Sequence, residues 1–325
     1  MLPHKFTPNF KSAFKSVLHA FLSHKRACGL KYDTHAHILD RFDKYLQRER
    51  ITDFSQNEIK EWLERGEHEG AGPHYVRISL YRQLVFYLNR HGNTISLPLA
   101  KSSLNKSFVP YIFTKEQIMS VLQTADQLSK VCNSNQHLVM PVMLRLLYCC
   151  GLRISEAASL RIKDIDLTRR TVSILHGKND ISRTLPMSES LCNTISGYLE
   201  EMYIATRPDD FVFPTPKMER YSKNAIYQAF RNILWTSGIA HGGRGKGPRL
   251  HDLRHTFSVH SLQKLIYEGR DTYLLMPILS RYLGHKNIYE TEKYLRLTAE
   301  MYPDILEKVR QAYDSPIPEV AYETN

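Results

Sequence analysis

Six polar residues between positions 153 and 294 have side chains of the kinds that act on a phosphate. They stand in order as Arg153, Lys178, His251, Arg254, His285 and Tyr294. An arginine offers a planar fork of donors that matches phosphate oxygens, and a histidine exchanges a proton near neutral pH. A tyrosine can attack a phosphorus atom, provided that nearby cations favour its phenolate, because the unperturbed pKa of a phenol is about 10.

His251 and Arg254 lie three residues apart at the start of a predicted helix. Residues at this spacing share one helix face, so the two side chains are expected to project side by side. A His-x-x-Arg pair often arises by chance, and alone it indicates only a solvated helix face. His255 lies four residues after His251, but without a third ligand a zinc site is not expected.

Three of the other candidates also have plainer explanations. Arg153 could form a salt bridge with Glu156, whose position in sequence would let it orient the arginine. Lys178 follows Gly177 in a predicted turn and could simply be solvated. His285 follows Leu-Gly and could be the partner of a helix C-cap.

The elements that position these residues belong to a mixed segment after a predicted linker at 97–112. A capping-box pattern at 114–117 begins its first helix. The chain is almost wholly apolar over 138–150, which predicts a buried helix that ends at Gly151, directly before Arg153. Short β-prone runs at 165–167, 171–175 and 182–186 predict a small antiparallel sheet with Lys178 at a hairpin tip. Helical periodicity then marks 188–204, 222–238, 251–267, 273–284 and 289–297, and a last amphipathic helix is predicted to end near Tyr313.

The N-terminal segment is predicted to be a small all-helical bundle. Apolar periodicity marks helices at 10–28 and 34–50, a capping box at 55–58 begins a short helix through Trp62, and another helix follows Pro73. Residues 1–110 carry 17 Lys+Arg against 10 Asp+Glu, whereas the longer remainder carries 27 against 23. This excess favours a module that grips DNA, although a chance surplus of lysine on a solvated bundle would give the same count.

Composition indicates a globular protein with a polyanionic partner. The 325 residues suffice for two domains with their own cores. A formal net charge of +11 favours nucleic acid ahead of an anionic membrane surface. No apolar run approaches the roughly 20 residues that span a bilayer, and no signal-peptide core begins the chain, so a cytoplasmic protein is expected. The five cysteines show no C-x-x-C spacing, which predicts reduced thiols, most of them in the core.

The ordered set resembles the tyrosine recombinase (phage integrase) family. The motifs G-L-R-I-S-E, H-D-L-R-H-T-F and L-G-H carry the resemblance, which covers roughly residues 108–297. In that family two arginines, a lysine, two histidines and a tyrosine make the active site. The resemblance therefore implies catalytic roles for Arg153, Lys178, His251, Arg254, His285 and Tyr294. Chemistry alone does not choose among Tyr282, Tyr289 and Tyr294, whereas the spacing of the family selects Tyr294, with Tyr289 a distant second.

The resemblance implies site-specific DNA recombination without a metal or a cofactor. Tyr294 would attack the phosphorus atom and form a 3′-phosphotyrosyl link while the two arginines hold its non-bridging oxygens. Lys178 would protonate the leaving 5′ oxygen, His251 would assist proton transfer from the tyrosine, and His285 would donate a bond to a phosphate oxygen. Rejoining would need no ATP, because the link conserves the energy of the broken diester.

The resemblance also implies the architecture and the partners. It predicts a mainly α fold with a small antiparallel β-sheet, with residues 1–107 as a helical, SAM-like core-binding domain and residues 108–325 as an α+β catalytic domain. The implied partners are a double-stranded recombination site and further copies of the chain, or a homologous recombinase, in a tetramer on DNA. A Xer-like or transposon-borne member is expected, with the C-terminal helix packed in cis or in trans. The alternatives are a type IB topoisomerase and a non-catalytic DNA-binding protein derived from a recombinase.

Overall fold

The computed structural model describes residues 6–54, 58–96, 109–175, 182–240, 242, 247–302 and 304. The chain divides into two compact units, Met1–Phe108 and Val109–Asn325. Helices dominate the described parts of both units, and a three-stranded sheet lies in the second. The predicted fold class, mainly α with a small antiparallel sheet, is therefore confirmed. No helix in the described ranges is long and apolar enough to cross a membrane.

The first unit packs its helices around an aromatic core. These helices are α1 (Lys15–Ala27), α2 (Asp33–Arg48), α3 (Lys60–Leu63) and α4 (Ala71–Arg90). Phe42 of α2 lies against both Trp62 of α3 and Tyr81 of α4, with ring centroids 5.0 and 5.9 Å away. Such aromatic pairs bury large areas, so this contact joins three of the helices into one core.

Two helices of the first unit begin at other residues than the apolar pattern predicts. Helix α1 begins at Lys15 because the buried carboxylate of Asp43 accepts the backbone N–H groups of Lys11 and Ser12, at 2.8 and 3.0 Å. Those bonds hold the segment before α1 outside the helix. Helix α4 begins at Ala71, so Pro73 lies in its first turn, where a backbone N–H would have no intrahelical partner.

The second unit alternates helices with one small sheet. Its helices are α5 (Lys115–Asp126), α6 (Gln136–Cys149), α7 (Ile154–Ala157), α8 (Glu189–Met202), α9 (Lys223–Thr236), α10 (Leu250–Tyr267), α11 (Thr272–Leu283) and α12 (Tyr289–Met301). Its strands are β1 (Ile165–Asp166), β2 (Thr171–Ile174) and β3 (Arg183–Pro186). The capping box of α5 is formed as predicted, since Thr114 accepts from the Gln117 N–H and Gln117 accepts from the Thr114 N–H.

The sheet has the order β1-β2-β3, and both pairs are antiparallel. Val172 of β2 lies opposite Leu185 of β3, and both side chains are buried. The sheet therefore packs one face on the core, as antiparallel sheets commonly do. Lys178, predicted at the tip between β2 and β3, lies in 176–181, outside the described residues.

Helix α10 is central to the second unit, because it contacts α6, α11 and α12. Its buried residues include Leu253, Arg254, His255 and Val259, so polar side chains enter the interior beside apolar ones. Buried polar groups need hydrogen-bond partners, and those partners define the candidate site. The helix predicted to end near Tyr313 falls outside the described residues after Tyr302, apart from residue 304.

All five cysteines are free, but their predicted placement in the core is wrong for three of them. Cys28, Cys132 and Cys149 are exposed, and Cys150 and Cys192 are buried. Cys28 and Cys132 lie in connections between helices, which run over the surface. Cys149 and Cys150 are adjacent at the end of α6, where successive residues point in different directions, so only Cys150 faces the core.

Candidate active site

Two helices that lead to the site end at glycines. Gly151 follows α6 with φ +58, and Gly284 follows α11 with φ +64. A Cβ atom would lie 2.5 Å from Phe257 Cδ1 at Gly151 and 3.0 Å from Arg183 Nη1 at Gly284. Both positions thus need glycine for the left-handed backbone and for the close neighbour. The G-L-R and L-G-H motifs are helix stops that deliver Arg153 and His285 to the same region.

The end of α11 closes with a Schellman motif. The N–H of His285 donates to the carbonyl of Ser280, and the N–H of Gly284 donates to the carbonyl of Arg281, both at 3.0 Å. The next three carbonyl groups along the chain have no such backbone partner in the motif. They are oriented away from the helix and can accept hydrogen bonds from elsewhere.

Three arginines from three separate elements supply those bonds, and we call Arg153, Arg183 and Arg254 the arginine cap. Each guanidinium donates to a different carbonyl of the α11 end. The bonds are Arg183 Nε to Tyr282 O at 2.8 Å, Arg254 Nη2 to Leu283 O, and Arg153 Nη2 to Gly284 O at 3.0 Å. Cations near a helix C-terminus are also favoured by the helix dipole, so the end of α11 gathers and orients the cap.

Arg254 joins both helix ends. Its side chain is 1% exposed, and its Nη1 donates to the carbonyl of Gly151 at 2.7 Å while Nη2 reaches Leu283. Burial, and then the charge of Arg153, lowers the pKa of Arg254 to about 10. The guanidinium therefore stays charged at neutral pH, in a place where desolvation strengthens its interaction with an anion.

Glu156 is the carboxylate of the arginine cap. Its Oε1 accepts from Arg153 Nη1 at 2.8 Å and from Arg183 Nη1 at 3.1 Å, and its Oε2 accepts from Arg183 Nη2 and from the Arg153 N–H, each at 2.9 Å. Burial opposes its ionisation, but bonds and charge from Arg183 and then Arg153 outweigh burial and lower the pKa of Glu156 to about 2. The expected orientation of Arg153 by Glu156 is present. The cap holds three guanidinium charges and Glu156 supplies one carboxylate charge, so a surplus of positive charge remains that suits a phosphate.

Tyr294 lies beside this charge but is neutral. Its side chain is among the most buried, at 1% exposure, and its hydroxyl lies 2.9 Å from His255 Nδ1. Burial raises the pKa of Tyr294, and the charge of Arg254 opposes that rise without cancelling it. The ring of His285 is stacked at 6.1 Å from the tyrosine ring. The phenol therefore keeps its proton in this arrangement and can donate it to His255 Nδ1.

The histidines around Tyr294 are neutral as well. Burial, and then the charge of His251, lowers the pKa of His255 to about 2, and burial followed by Arg254 lowers that of His285 to about 3. His285 Nδ1 lies 2.7 Å from the hydroxyl of buried Thr291, which fixes the orientation of the ring. His251 is exposed, and its ring lies edge-on to His255 at 4.7 Å. His255 therefore lies between the Tyr294 hydroxyl and the exposed ring of His251.

Four of the six predicted residues meet at this place, and two stand differently. Arg153, Arg254, His285 and Tyr294 lie together as described above. The ring of His251 lies against His255, and Lys178 lies outside the described residues. The catalytic roles of all six therefore stay proposals.

The two rival tyrosines stand apart from this arrangement. Tyr289 is 76% exposed. The ring of Tyr282 stacks on Phe257 at 5.5 Å, and its backbone carbonyl serves the arginine cap. Among the described residues, neither hydroxyl has the histidine neighbours of Tyr294, and the choice of Tyr294 as the nucleophile stays a proposal.

Sequence reasoning missed His255 and Arg183. His255 directly follows Arg254 and was considered only as a zinc ligand, although the described residues hold no group of three potential metal ligands. The signal for His255 was its place one helical turn after His251 on a helix with a buried face. Arg183 gave no such signal, because its partners Glu156 and Tyr282 lie 27 and 99 residues away in sequence.

Comparison with known proteins now decides the family. The model of the phage integrase family matches residues 112–301, more than half of the chain, and covers every element of the site. The chain belongs to the phage integrase family. It is a tyrosine recombinase, an enzyme of site-specific DNA recombination, as the motifs predicted.

Individual relatives agree with this assignment. The recombinase is 25% identical over 315 residues to a Sinorhizobium fredii protein named as integrase/recombinase y4rB, covering 93% of this chain and 99% of that one. It is 25% identical over 279 residues to tyrosine recombinase XerD of Listeria innocua, covering 82% and 88%. The solved structure of the Tn1549 transposon integrase in complex with transposon right-end DNA has a TM-score of 0.64 at 18% identity, covering 88% of this chain and 99% of that chain. That likeness shows a shared fold.

Proposed function

We propose that this recombinase cleaves and rejoins a duplex recombination site with Tyr294 as its nucleophile. The observation that carries the proposal is the meeting of Arg153, Arg254 and His285 with the hydroxyl side of Tyr294 in one buried, positively charged place. A phosphodiester is the polyanion that such a place favours.

In the first step the phosphate of one strand binds the clamp arginines, Arg153 and Arg254, by charge-assisted bonds to its non-bridging oxygens. The Tyr294 oxygen attacks the phosphorus atom, and its proton passes to His255 and onward to His251. The P–O5′ bond breaks as the 3′-phosphotyrosyl bond forms. His285 donates to a non-bridging oxygen, where charge develops in the transition state.

The leaving 5′ oxygen takes its proton from Lys178. In the second step the 5′ hydroxyl of another strand returns a proton to Lys178 and attacks the phosphotyrosyl phosphorus. The bond between phosphorus and the Tyr294 oxygen breaks, and the released phenolate takes its proton back through His255. Bonds formed and broken are of the same kind in both steps, so no high-energy cofactor is required. DNA must expose Tyr294 before attack, since the hydroxyl is buried in the structure.

The first unit supports the proposal as a DNA-binding module. Residues 1–107 are assigned to the core-binding role and residues 108–325 to catalysis. Helix α4 presents Tyr75, Phe86 and Arg90 as exposed side chains, and the Arg90 guanidinium lies 4.6 Å from the centre of the Phe86 ring. A helix of this kind fits the major groove of DNA, where arginine contacts phosphates and guanine edges.

We also propose that strand exchange takes place in a tetramer on two duplex sites, formed by copies of this chain or with a homologous recombinase. Exchange between two duplexes needs four strand cleavages, and each chain has one candidate nucleophile. A DNA substrate also places the enzyme in the cytoplasm, with the nucleoid.

The test uses a pool of nicked duplexes with a randomised core, incubated with the purified chain in EDTA. Because of the nick, the short fragment that carries the new 5′ hydroxyl diffuses away after cleavage. The strand that is covalently linked to the protein is thereby trapped. We expect an adduct that survives SDS, and sequencing of the trapped DNA should return one consensus site. Sequence-specific binding without any adduct would support a non-catalytic accessory protein. Relaxation of supercoiled plasmids irrespective of sequence would support a type IB topoisomerase.

A further inference from the structure

Arg183 is not among the six residues of the proposed reaction, yet it is the third member of the arginine cap. We propose that Arg183 is a positioning residue that orients Arg153 through the shared carboxylate of Glu156 and holds the carbonyl end of α11 that both clamp arginines use. This inference rests on the proposed function and adds a residue to it.

Arg183 is too buried to serve DNA directly. Its side chain is 6% exposed and that of Glu156 is 4% exposed. Its two terminal nitrogens bind the two oxygens of Glu156, and its Nε binds the carbonyl of Tyr282. All three nitrogens therefore have protein partners, and its influence on a phosphate has to pass through other side chains.

The first path runs through Glu156. Each carboxylate oxygen is shared between Arg183 and Arg153, with donor distances of 2.8–3.1 Å. The bidentate bond to Arg183 fixes the carboxylate plane, and that plane fixes the Arg153 guanidinium. Without the two parallel N–H donors of Arg183, the carboxylate of Glu156 could rotate, and the guanidinium of Arg153 would move with it.

The second path runs through the end of α11. Arg183 binds the carbonyl that directly precedes the ones bound by Arg254 and Arg153. Its Nη1 also fills the space in which a Cβ at Gly284 would lie, at 3.0 Å. Arg183 thus supports both the backbone turn before His285 and the row of carbonyls that aligns the clamp.

Lysine is the informative replacement, because it keeps the charge and loses the planar fork. Arg145 supplies a matched control in the same unit. It makes a bidentate bond to Asp126 at 2.6 and 2.6 Å and a bond to the carbonyl of Pro141 at 3.1 Å, so it has the same kinds of partner as Arg183. Its partners belong to α5 and α6, away from the arginine cap.

The experiment measures single-turnover adduct formation on the nicked duplex selected by the full chain, together with DNA affinity and thermal unfolding. Misplaced catalytic groups typically cost about 10²-fold in rate, so Arg183→Lys should lose roughly that factor while its DNA affinity stays near that of the wild type. Arg145→Lys should retain the wild-type rate. The double variant with Arg153→Lys should be slowed by much less than the product of the two single losses, because both act on one guanidinium.

Two altered substrates separate positioning from general structural damage. A methylphosphonate at the cleavage position removes one charged oxygen that Arg153 would bind, so the loss caused by Arg183→Lys should shrink on it. The 5′ thiolate that leaves from a 5′-bridging phosphorothiolate needs no proton. This substrate should therefore restore the rate of a variant that lacks a general acid, but not the rate of Arg183→Lys. If Arg183→Lys does not fold, Arg183→Gln replaces it, because glutamine keeps one donor for the Tyr282 carbonyl. Its rates of adduct formation are compared with those of the wild type on the same substrates.

The outcomes separate the two proposals. Wild-type chain that forms no adduct overturns the proposed function and this inference with it. A wild-type adduct with an Arg183→Lys rate equal to that of Arg145→Lys overturns this inference alone. So do losses that multiply with Arg153→Lys, or full recovery on the phosphorothiolate, since neither agrees with action through Arg153.

Discussion

The arginine cap and the buried tyrosine lie on neighbouring elements but hold charge in different ways. In the cap, Arg153 and Arg183 share the carboxylate of Glu156, and all three guanidiniums bind a carbonyl at the end of α11. Around Tyr294, burial raises the pKa of the phenol and lowers those of His255 and His285, so that all three groups are neutral. The cap is charged and hydrogen-bonded to backbone carbonyls, whereas the tyrosine side is neutral and enclosed.

This difference separates binding from attack. The cap already has the orientation and charge that a phosphate requires, so little reorganisation is needed when the phosphate binds. The nucleophile is different, because burial is the largest cause of the raised pKa of Tyr294 while Arg254 acts in the opposite direction. Exposure of Tyr294 beside the cap therefore lowers its pKa and makes it a better nucleophile at the moment DNA is bound.

The largest expected effect is the loss of covalent adduct formation when the hydroxyl oxygen of Tyr294 is removed. Tyr294→Phe should abolish the SDS-stable adduct while DNA binding persists, because the arginine cap is unchanged. Tyr289→Phe is the matched control, since Tyr289 lies five residues earlier on the same helix and is 76% exposed. The measurement is adduct formation on the selected nicked duplex in EDTA. An adduct formed by Tyr294→Phe but not by Tyr289→Phe would show that the nucleophile is Tyr289.

The second effect tests the cap by removing its carboxylate. Glu156→Gln leaves Arg153 and Arg183 as buried cations without a counter-charge, and loss of one partner from a buried ion pair typically costs about 3–5 kcal/mol. Asp126→Asn is the control, because it breaks the partly exposed pair with Arg145, and exposed pairs contribute about 1 kcal/mol or less. Urea unfolding followed by hydrogen exchange of α10 peptides reports the second unit. Equal losses for the two variants would contradict the view that Glu156 balances the charge of buried guanidiniums in the cap.

The same contrast explains what the sequence could predict. Arg153, Arg254, His285 and Tyr294 belong to short motifs, and two of those motifs contain the glycines that end α6 and α11. Helix ends and apolar periodicity are local properties, so most elements of the second unit begin and end within a few residues of their predicted limits. The strands at 165–167, 171–175 and 182–186 followed in the same way from local β propensity.

What could not be predicted depends on distant pairs. The cap needs Arg183, Glu156 and Tyr282 to meet, and no spacing in the sequence brings a strand residue next to the end of α11. The place of His255 between His251 and Tyr294 could not be predicted for a related reason. His251 and His255 share a face of α10, but His251 is exposed and His255 is buried. Burial of that face is a tertiary property, and it determines which histidine meets the hydroxyl.

The third effect tests the neutrality of the tyrosine side through pH. The pKa of His255 falls to about 2 in the folded chain from an ordinary 6.5, so below about pH 6.5 the unfolded chain binds a proton that the folded chain does not. The contribution of neutral His255 to the free energy of unfolding is therefore fully present above about pH 6.5. It decreases as pH falls, by about 1.4 kcal/mol per pH unit for one such group. His255→Gln should remove that share of the slope between about pH 6.5 and pH 5. His68→Gln, at an exposed position of the first unit, is the control variant. A slope unchanged by His255→Gln would contradict a neutral His255 in the fold.

The smallest effect tests how rigid the cap is. Gly284→Ala places a Cβ 3.0 Å from Arg183 Nη1 at φ +64, whereas Gly269→Ala has a similar φ of +74 and nothing within 4 Å of its Cβ. Both variants incur the cost of a left-handed alanine, about 1 kcal/mol, so their difference isolates the contact with Arg183. We expect Gly284→Ala to lose about 1 kcal/mol more than Gly269→Ala, because Arg183 is held by three bonds and cannot move aside. The difference is measured by the same hydrogen exchange in urea. Equal losses of stability would mean that the Arg183 side chain moves aside at little cost. A guanidinium that moves so easily could not fix the orientation of Arg153.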